Sequence, residues 1–174
     1  LKEELPFSRL TMVSRNESID QSTTKILFKT ENNNYIESVL IRDGKRNTVC
    51  VSCMSGCPVG CIFCATGQMG LNEALDEHSI IDQVLYFARE LKAKEEKVTN
   101  IVYMGMGEPM LNLESVARSI EILTDQEKFG ISRRKITVST SGYIEMLNRF
   151  VDLDLGVKIA ISLHAPNQMI REKI

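Results

Sequence analysis

Residues 48–67 read TVCVSCMSGCPVGCIFCATG. The stretch enters as an alternating strand and leaves as a loop, and all five cysteines of the chain fall between Cys50 and Cys64. A strand that ends in a loop rich in ligand-type side chains is the first half of a β/α unit. The pattern then repeats downstream. Ile80, Val84, Ala88 and Leu91 recur at helical spacing, which predicts a helix over residues 77–95 with Asp76 as its N-cap. VTNIVYMG follows as a buried strand, then a helix over residues 112–125 carrying Val116, Ile120 and Leu123. ITVSTSG, IEMLNRFVDL and KIAISLHA continue as strand, helix and strand. The expected fold is therefore α/β, a partial (β/α) barrel with parallel strands. Upstream, TKILFKT and YIESVLIRD alternate apolar and polar residues around the turns NNN and DGKR, predicting a small β-hairpin extension before the barrel. The division implied is residues 1–48 for the β extension and 49–174 for the barrel core.

Composition sets looser bounds. A chain of 174 residues can form one core. Lys and Arg number 21 against 23 Asp and Glu, a net charge of −2 that argues neither for nor against a nucleic acid partner. No apolar run reaches the about 18 residues a spanning helix needs, so no membrane association is expected. LKEELPFSRL lacks the basic-then-apolar layout of a secretory signal. An odd number of clustered cysteines fits a reducing compartment and a metal site better than a disulfide framework, which makes the cytoplasm the expected location. The chain starts with Leu and stops at MIREKI, where a helix should begin, so it reads as a fragment of a longer product.

The cysteines admit several readings. Cys57, Cys61 and Cys64 form C-x3-C-x2-C, a set that can ligate three irons of a 4Fe-4S cluster and leave the fourth open to a substrate's amine and carboxylate. Phe63 would then shield the cluster. Alternatively, Cys50-x2-Cys53 and Cys61-x2-Cys64 make a four-sulfur zinc site, although the spacer between the pairs is short for zinc. A third possibility closes the iron cluster with Cys53. Simple burial of five small hydrophobes within so few residues is the least economical account. The other strand ends bear on the choice. MGMGEP (104–109) offers two glycines and Glu108, STSG (139–142) offers hydroxyls, and SLHA (162–165) offers Ser162 and His164. Each alone reads as a turn or a structural residue. Together they gather at the carboxyl ends of the strands, where α/β folds hold ligands.

The combination GC-x3-C-x2-CATG, GMGEP-x-LN, S-RR-ITVSTSG and ISLHAPN closely resembles the radical SAM adenine-C2 methyltransferases of 23S ribosomal RNA, many of which also modify transfer RNA. The resemblance runs from about residue 8 onward and implies a 4Fe-4S cluster held by Cys57, Cys61 and Cys64, with S-adenosylmethionine on its open iron. It implies cofactor contacts at Gly107, Glu108, Ser139, Ser162, Leu163 and His164. Family chemistry proceeds through a 5′-deoxyadenosyl radical and a methylated cysteine. Cys50 matches the second cysteine, which resolves the RNA adduct by forming a disulfide, and Glu37 matches a carboxylate assigned to proton removal. From spacing alone, Glu37 reads as a solvated hairpin residue. Implied partners are 23S rRNA, transfer RNA and an electron donor such as flavodoxin, acting on a monomer. The related adenine-C8 methyltransferases share parts of the pattern, and Pro109 favours the C2 group. Cys53, Met54 and Ser55 stand where the family has Ser, Gln and Val. No cysteine follows Cys64, whereas the family's methyl-carrying cysteine lies near its C-terminal end. Arg133, Arg134 and Lys135 offer cations to RNA phosphates, or are simply solvated.

Overall fold

The computed structural model describes residues 8–174. Residues 1–7, which carry most of the stretch read for a signal sequence and the start of the predicted β extension, lie outside the described residues. Strands β1 (Thr11–Glu17), β2 (Thr23–Lys29), β3 (Tyr35–Asp43) and β4 (Arg46–Cys50) form an antiparallel meander. β1 is a strand that the sequence pattern did not suggest. Its sequence TMVSRNE has no apolar alternation, and every residue of it is exposed. It is held by backbone pairing with β2 instead.

After β4 the chain makes a short hairpin of β5 (Met54–Gly56) and β6 (Leu71–Ala74), with the cysteine loop and α1 (Ala65–Gln68) between them. Three β/α repeats complete the fold. They are α2 (Glu77–Lys92) into β7 (Asn100–Tyr103), α3 (Leu113–Thr124) into β8 (Ile136–Thr140), and α4 (Ile144–Asp152) into β9 (Lys158–Ile161), before a short α5 (Gln168–Arg171). A 3-10 turn at Pro109–Asn112 leads into α3. β4, β7, β8 and β9 run parallel, and the meander joins them through β4 in one seven-stranded sheet ordered β1-β2-β3-β4-β7-β8-β9. β4 thus belongs to both parts, antiparallel to β3 and parallel to β7. The expected division at residues 48 and 49 falls within this strand.

The core lies on one face of the sheet. Ile26, Phe28, Ile36, Leu40, Val49, Ile101, Ile136 and Val138 point there and are essentially inaccessible. Ile80, Val84, Phe87 and Leu91 of α2 and Val116, Ile120 and Leu123 of α3 cover them. Each such side chain contributes about 1.5–3 kcal/mol through removal from water. Asp76 caps α2 as its sequence predicts, accepting from the Ser79 N–H at 2.7 Å. The opposite face is only partly covered. β7 alternates buried and half-buried residues, so its apolar run is not buried on both sides as a run of that kind suggests.

A buried amide fixes the end of β4. The Gln83 side chain of α2 accepts from the Ser52 N–H at 2.8 Å and donates to the Ser52 carbonyl at 2.9 Å. Gln83 and Ser52 are both fully buried. Ser52 Oγ donates to the Glu37 carbonyl at 2.6 Å and accepts from the Met106 N–H at 2.8 Å. One serine therefore ties β3, α2 and the loop after β7 to the start of the cysteine loop. Gln83→Leu keeps the volume but strips partners from two buried backbone groups, at about 1–3 kcal/mol each. Urea unfolding should show a loss of about 2 kcal/mol or more, and a loss under about 0.5 kcal/mol would remove this lock from the account.

Candidate active site

The cysteine loop is wound tightly enough to present its thiols to one side. Cys64 N–H donates to the Cys61 carbonyl at 3.1 Å, and Gln68 Nε2 donates to the same carbonyl at 3.2 Å. A Cβ on Gly67 would stand 3.0 Å from Cys61 N and 3.1 Å from Cys61 O, so any larger residue would push α1 and the loop apart by a few tenths of an ångström. Cys57, Cys61 and Cys64 all line one cavity of about 330 Å³, and all are free thiols. The size suits a small-molecule site. Burial pushes the Cys57 thiol above its ordinary range, and the nearby Glu108 carboxylate adds to the effect.

The rest of that cavity comes from the strand ends. β7 supplies Met104, Gly105, Gly107 and Glu108, β8 supplies Ser139, Thr140 and Ser141, and β9 supplies Ser162 and His164. A second cavity of about 440 Å³ adjoins it and shares Val59, Cys61, Phe63, Ser141, Ser162 and His164 with the first. Phe63 lies against His164 with ring centroids 4.6 Å apart, yet is itself 56% exposed, so it forms one wall of the cleft rather than a lid. Ser139 Oγ and Ser162 Oγ are 3.2 Å apart and join β8 to β9.

Glu108 is the best-anchored of these groups. It is buried; one carboxylate oxygen accepts from the N–H and Oγ–H of Ser141 at 2.7 and 2.9 Å, and the other accepts from the Met110 N–H at 3.1 Å. The oxygen that accepts only from Met110 retains lone-pair capacity for a further donor such as an ammonium group. Gly107 has a positive φ of 102°, and a Cβ there would stand 2.7 Å from Met54 Cβ. Its freedom therefore serves packing of the MGMGEP loop against Met54 and Cys53, besides leaving backbone open to the cavity.

Other sequence-predicted residues lie away from this wall. Leu163 is 60% exposed and lines neither cavity. Cys53 is buried, with its Sγ directed at the Met106 carbonyl, and does not line the cavity with the other three. Cys50 ends β4 opposite Val39 of β3, and Glu37, two residues back along β3, shares its sheet face beside Ser52. Burial pushes the Cys50 thiol up to about 11. The Glu37 carboxylate pairs with Lys25 Nζ at 2.9 Å. Sequence reasoning singled out Ser139 but not Ser141, whose hydroxyl and amide hold Glu108. It also passed over Asn112, whose side-chain amide donates to the Cys53 and Leu75 carbonyls at 2.9 and 2.7 Å. The signal for Asn112 was present in GEP-x-LN, whereas Ser141 could not be told from its neighbours in STSG without the fold.

The donor set fits an open iron–sulfur cluster better than zinc. Three thiols line one cavity together with polar strand ends, and among the described residues no three His, Cys, Asp or Glu side chains converge as tightly as a single ion requires. A cubane spreads its thiolates around a larger body.

Comparison with known proteins agrees with this arrangement. The family model of the radical SAM superfamily matches residues 51–174. A protein of Protochlamydia amoebophila named "Probable dual-specificity RNA methyltransferase RlmN 2" is 50% identical over 165 residues, covering 95% of this chain and 46% of that protein. The ribosomal RNA large subunit methyltransferase N of Nitrosopumilus maritimus is 40% identical over 186 residues, covering 100% of this chain and 53% of that protein. The crystal structure of a radical SAM methyltransferase from Sphaerobacter thermophilus superposes with a TM-score of 0.93 at 44% identity, over 98% of this chain and 50% of that one. The chain spans about half the length of the curated relatives it matches. Membership implies a 4Fe-4S cluster and S-adenosylmethionine. On the cysteine loop, the strand-end cavity and these matches, the chain belongs to the radical SAM superfamily.

Proposed function

We propose that the chain is the cofactor-binding part of a radical SAM RNA methyltransferase that methylates C2 of an adenine in 23S rRNA and in transfer RNA. The observation that carries this reading is the shared cavity, lined by Cys57, Cys61 and Cys64 together with Gly107, Glu108, Ser139, Ser162 and His164. In this reading, residues 49–174 are the catalytic barrel and the meander before them is an extension that brings in Glu37. The enzyme is a cytoplasmic monomer served by a reductant such as a flavodoxin. No helix among the described residues is long and apolar enough to cross a membrane.

The three cysteines hold the cluster as thiolates. When bound, the cluster supplies an electron and an open iron, and adenosylmethionine supplies the methyl group and the radical chemistry that an unactivated adenine carbon needs. Glu108 receives the ammonium group of the cofactor, since it is an anchored acceptor beside the cysteines. Ser139 and Ser162, already hydrogen-bonded to each other, offer hydroxyls to its polar parts, and His164 with Phe63 offers a flat wall. The Leu163 side chain points away from the cavities, so its contribution is a backbone one.

Glu37 takes the proton from adenine C2 and Cys50 is the resolving thiol. Their common sheet face beside the start of the cysteine loop supports this pairing. The Glu37 carboxylate's contact with Lys25 is half-exposed and weak enough for substrate to displace. Only a thiolate attacks efficiently, and burial of Cys50 keeps it in the thiol form at neutral pH. That protects it from stray oxidants and alkylating agents between turnovers.

Anaerobic reconstitution should load about four irons and four sulfides per chain, and uptake of one zinc without sulfide would reject the reading. Incubated with a 23S rRNA fragment, adenosylmethionine and a low-potential reductant, a full-length enzyme containing this chain and the methyl-carrying cysteine should yield C2-methyladenosine by mass spectrometry, whereas the 174-residue chain alone should yield none. C8-methyladenosine would instead transfer it to the C8 group. In that full-length enzyme, Cys50→Ala should trap a covalent protein–RNA adduct visible on a denaturing gel, and normal turnover by that variant would remove Cys50 from the mechanism. With a pKa of about 11 against an ordinary 9.0, Cys50 should alkylate with iodoacetamide about 100-fold more slowly at pH 8 than a free thiol, and accelerate as pH rises towards 11. Rapid labelling at pH 8 would contradict the burial assigned to it.

A further inference from the structure

The turns after β8 and β9 are joined by a side chain that no motif marks. Arg171, in the last turn of α5, directs its guanidinium back under the strand ends. Its Nη2 donates to the Ser141 carbonyl at 2.7 Å, and its Nη1 donates to the Ser162 carbonyl at 3.3 Å and to the Leu163 carbonyl. Ser141 in turn donates both its N–H and its Oγ–H to Glu108. The connection is continuous, from the carboxylate after β7, through the turn after β8, to the turn after β9.

We propose that Arg171, acting through Ser141, is a positioning residue for adenosylmethionine, fixing three strand-end segments in the geometry that the cofactor requires. The inference rests on the functional reading above, because it assumes that Glu108 and the Ser162–His164 segment hold that cofactor.

Three features favour a positioning role over an incidental contact. First, all three acceptors are backbone carbonyls, and each belongs to a turn that contributes to the cavity wall. A guanidinium presents several donors in one rigid plane, so it can hold carbonyls from separate segments at once, which an ammonium group on a flexible stem does less well. Second, His164 lies in the left-handed region at φ 51°. Such a conformation costs of order 1–3 kcal/mol for a residue other than glycine and persists only where its surroundings hold it. Two of the three carbonyls gripped by Arg171 are those of the two residues immediately before it. The left-handed turn brings the imidazole against Phe63 of the cysteine loop. Third, among the described residues no carboxylate forms an ion pair with Arg171. Its charge is directed at the carbonyls and the adjoining cavity instead of being neutralised at the surface.

The test is equilibrium dialysis of S-adenosylmethionine against the anaerobically reconstituted protein, with iron and sulfide counted for every variant. Arg171→Met, which keeps the chain length and loses every donor, should load the cluster like the parent and bind adenosylmethionine about 10–100-fold more weakly. Arg171→Lys should fall between the two. Hydrogen exchange should accelerate at residues 141–143 and 162–165 in Arg171→Met, while a residue that merely stabilised α5 would change exchange there and leave cofactor affinity alone. An affinity within about twofold of the parent overturns the relay. If Arg171→Met takes up no cluster, Ser141→Ala decides from the other end. It removes one of the donors to Glu108, so weaker cofactor binding supports the relay and unchanged binding overturns it. A parent protein that loads its cluster but binds no adenosylmethionine would instead sink the functional reading on which the inference stands.

Discussion

The structure depends most on how the end of β4 is held. A strand that gives way to a loop leaves backbone groups without ladder partners, and at Ser52 those groups are fully buried. Gln83 satisfies both of them from α2, and the Ser52 hydroxyl joins β3 to the loop after β7. Unpaired, such groups would cost more than most single packing contacts provide. Because they are paired, the cysteine loop departs from a fixed point. Cys57, Cys61 and Cys64 can then be delivered to one cavity by a loop of otherwise exposed residues.

The same principle operates at the neighbouring strand ends. Carboxylate, hydroxyl and amide groups there bond first to one another, and the cavity is what they leave open. Glu108 is anchored by Ser141 and the Met110 amide, and Asn112 bridges the carbonyls of Cys53 and Leu75. A site built in this way is organised before any ligand arrives, which lowers the cost of ordering it on binding. The open, half-buried face of the sheet carries Glu37 and Cys50 towards the same edge.

Much of the architecture was legible because its signals are local. Helical spacing in α2 and α3, the Asp76 cap and the alternation in β2 and β3 depend on neighbours a few residues away. β1 was invisible for the same reason: it has no apolar alternation, and its pairing partner lies across a turn. The apolar run of β7 looked fully buried because a run reports hydrophobicity and cannot report which sheet face lacks a cover.

The cysteine spacing and the three other strand-end motifs were enough to carry the family resemblance, and with it the expected chemistry, since ligand type and local spacing are properties of the chain. Only the tertiary structure decided which groups meet. It separated Cys53, packed against the Met106 and Gly107 loop, from the three cysteines that share a cavity. It turned Gly107 from a residue opening backbone to a ligand into one that also lets two loops touch, and it placed Arg171 beneath the turns of two strands. Those outcomes rest on contacts between segments some 30 to 60 residues apart, such as Ser141 to Arg171 and Cys53 to Met106. Their geometry is set by how the sheet twists and packs, and no local pattern carries that information.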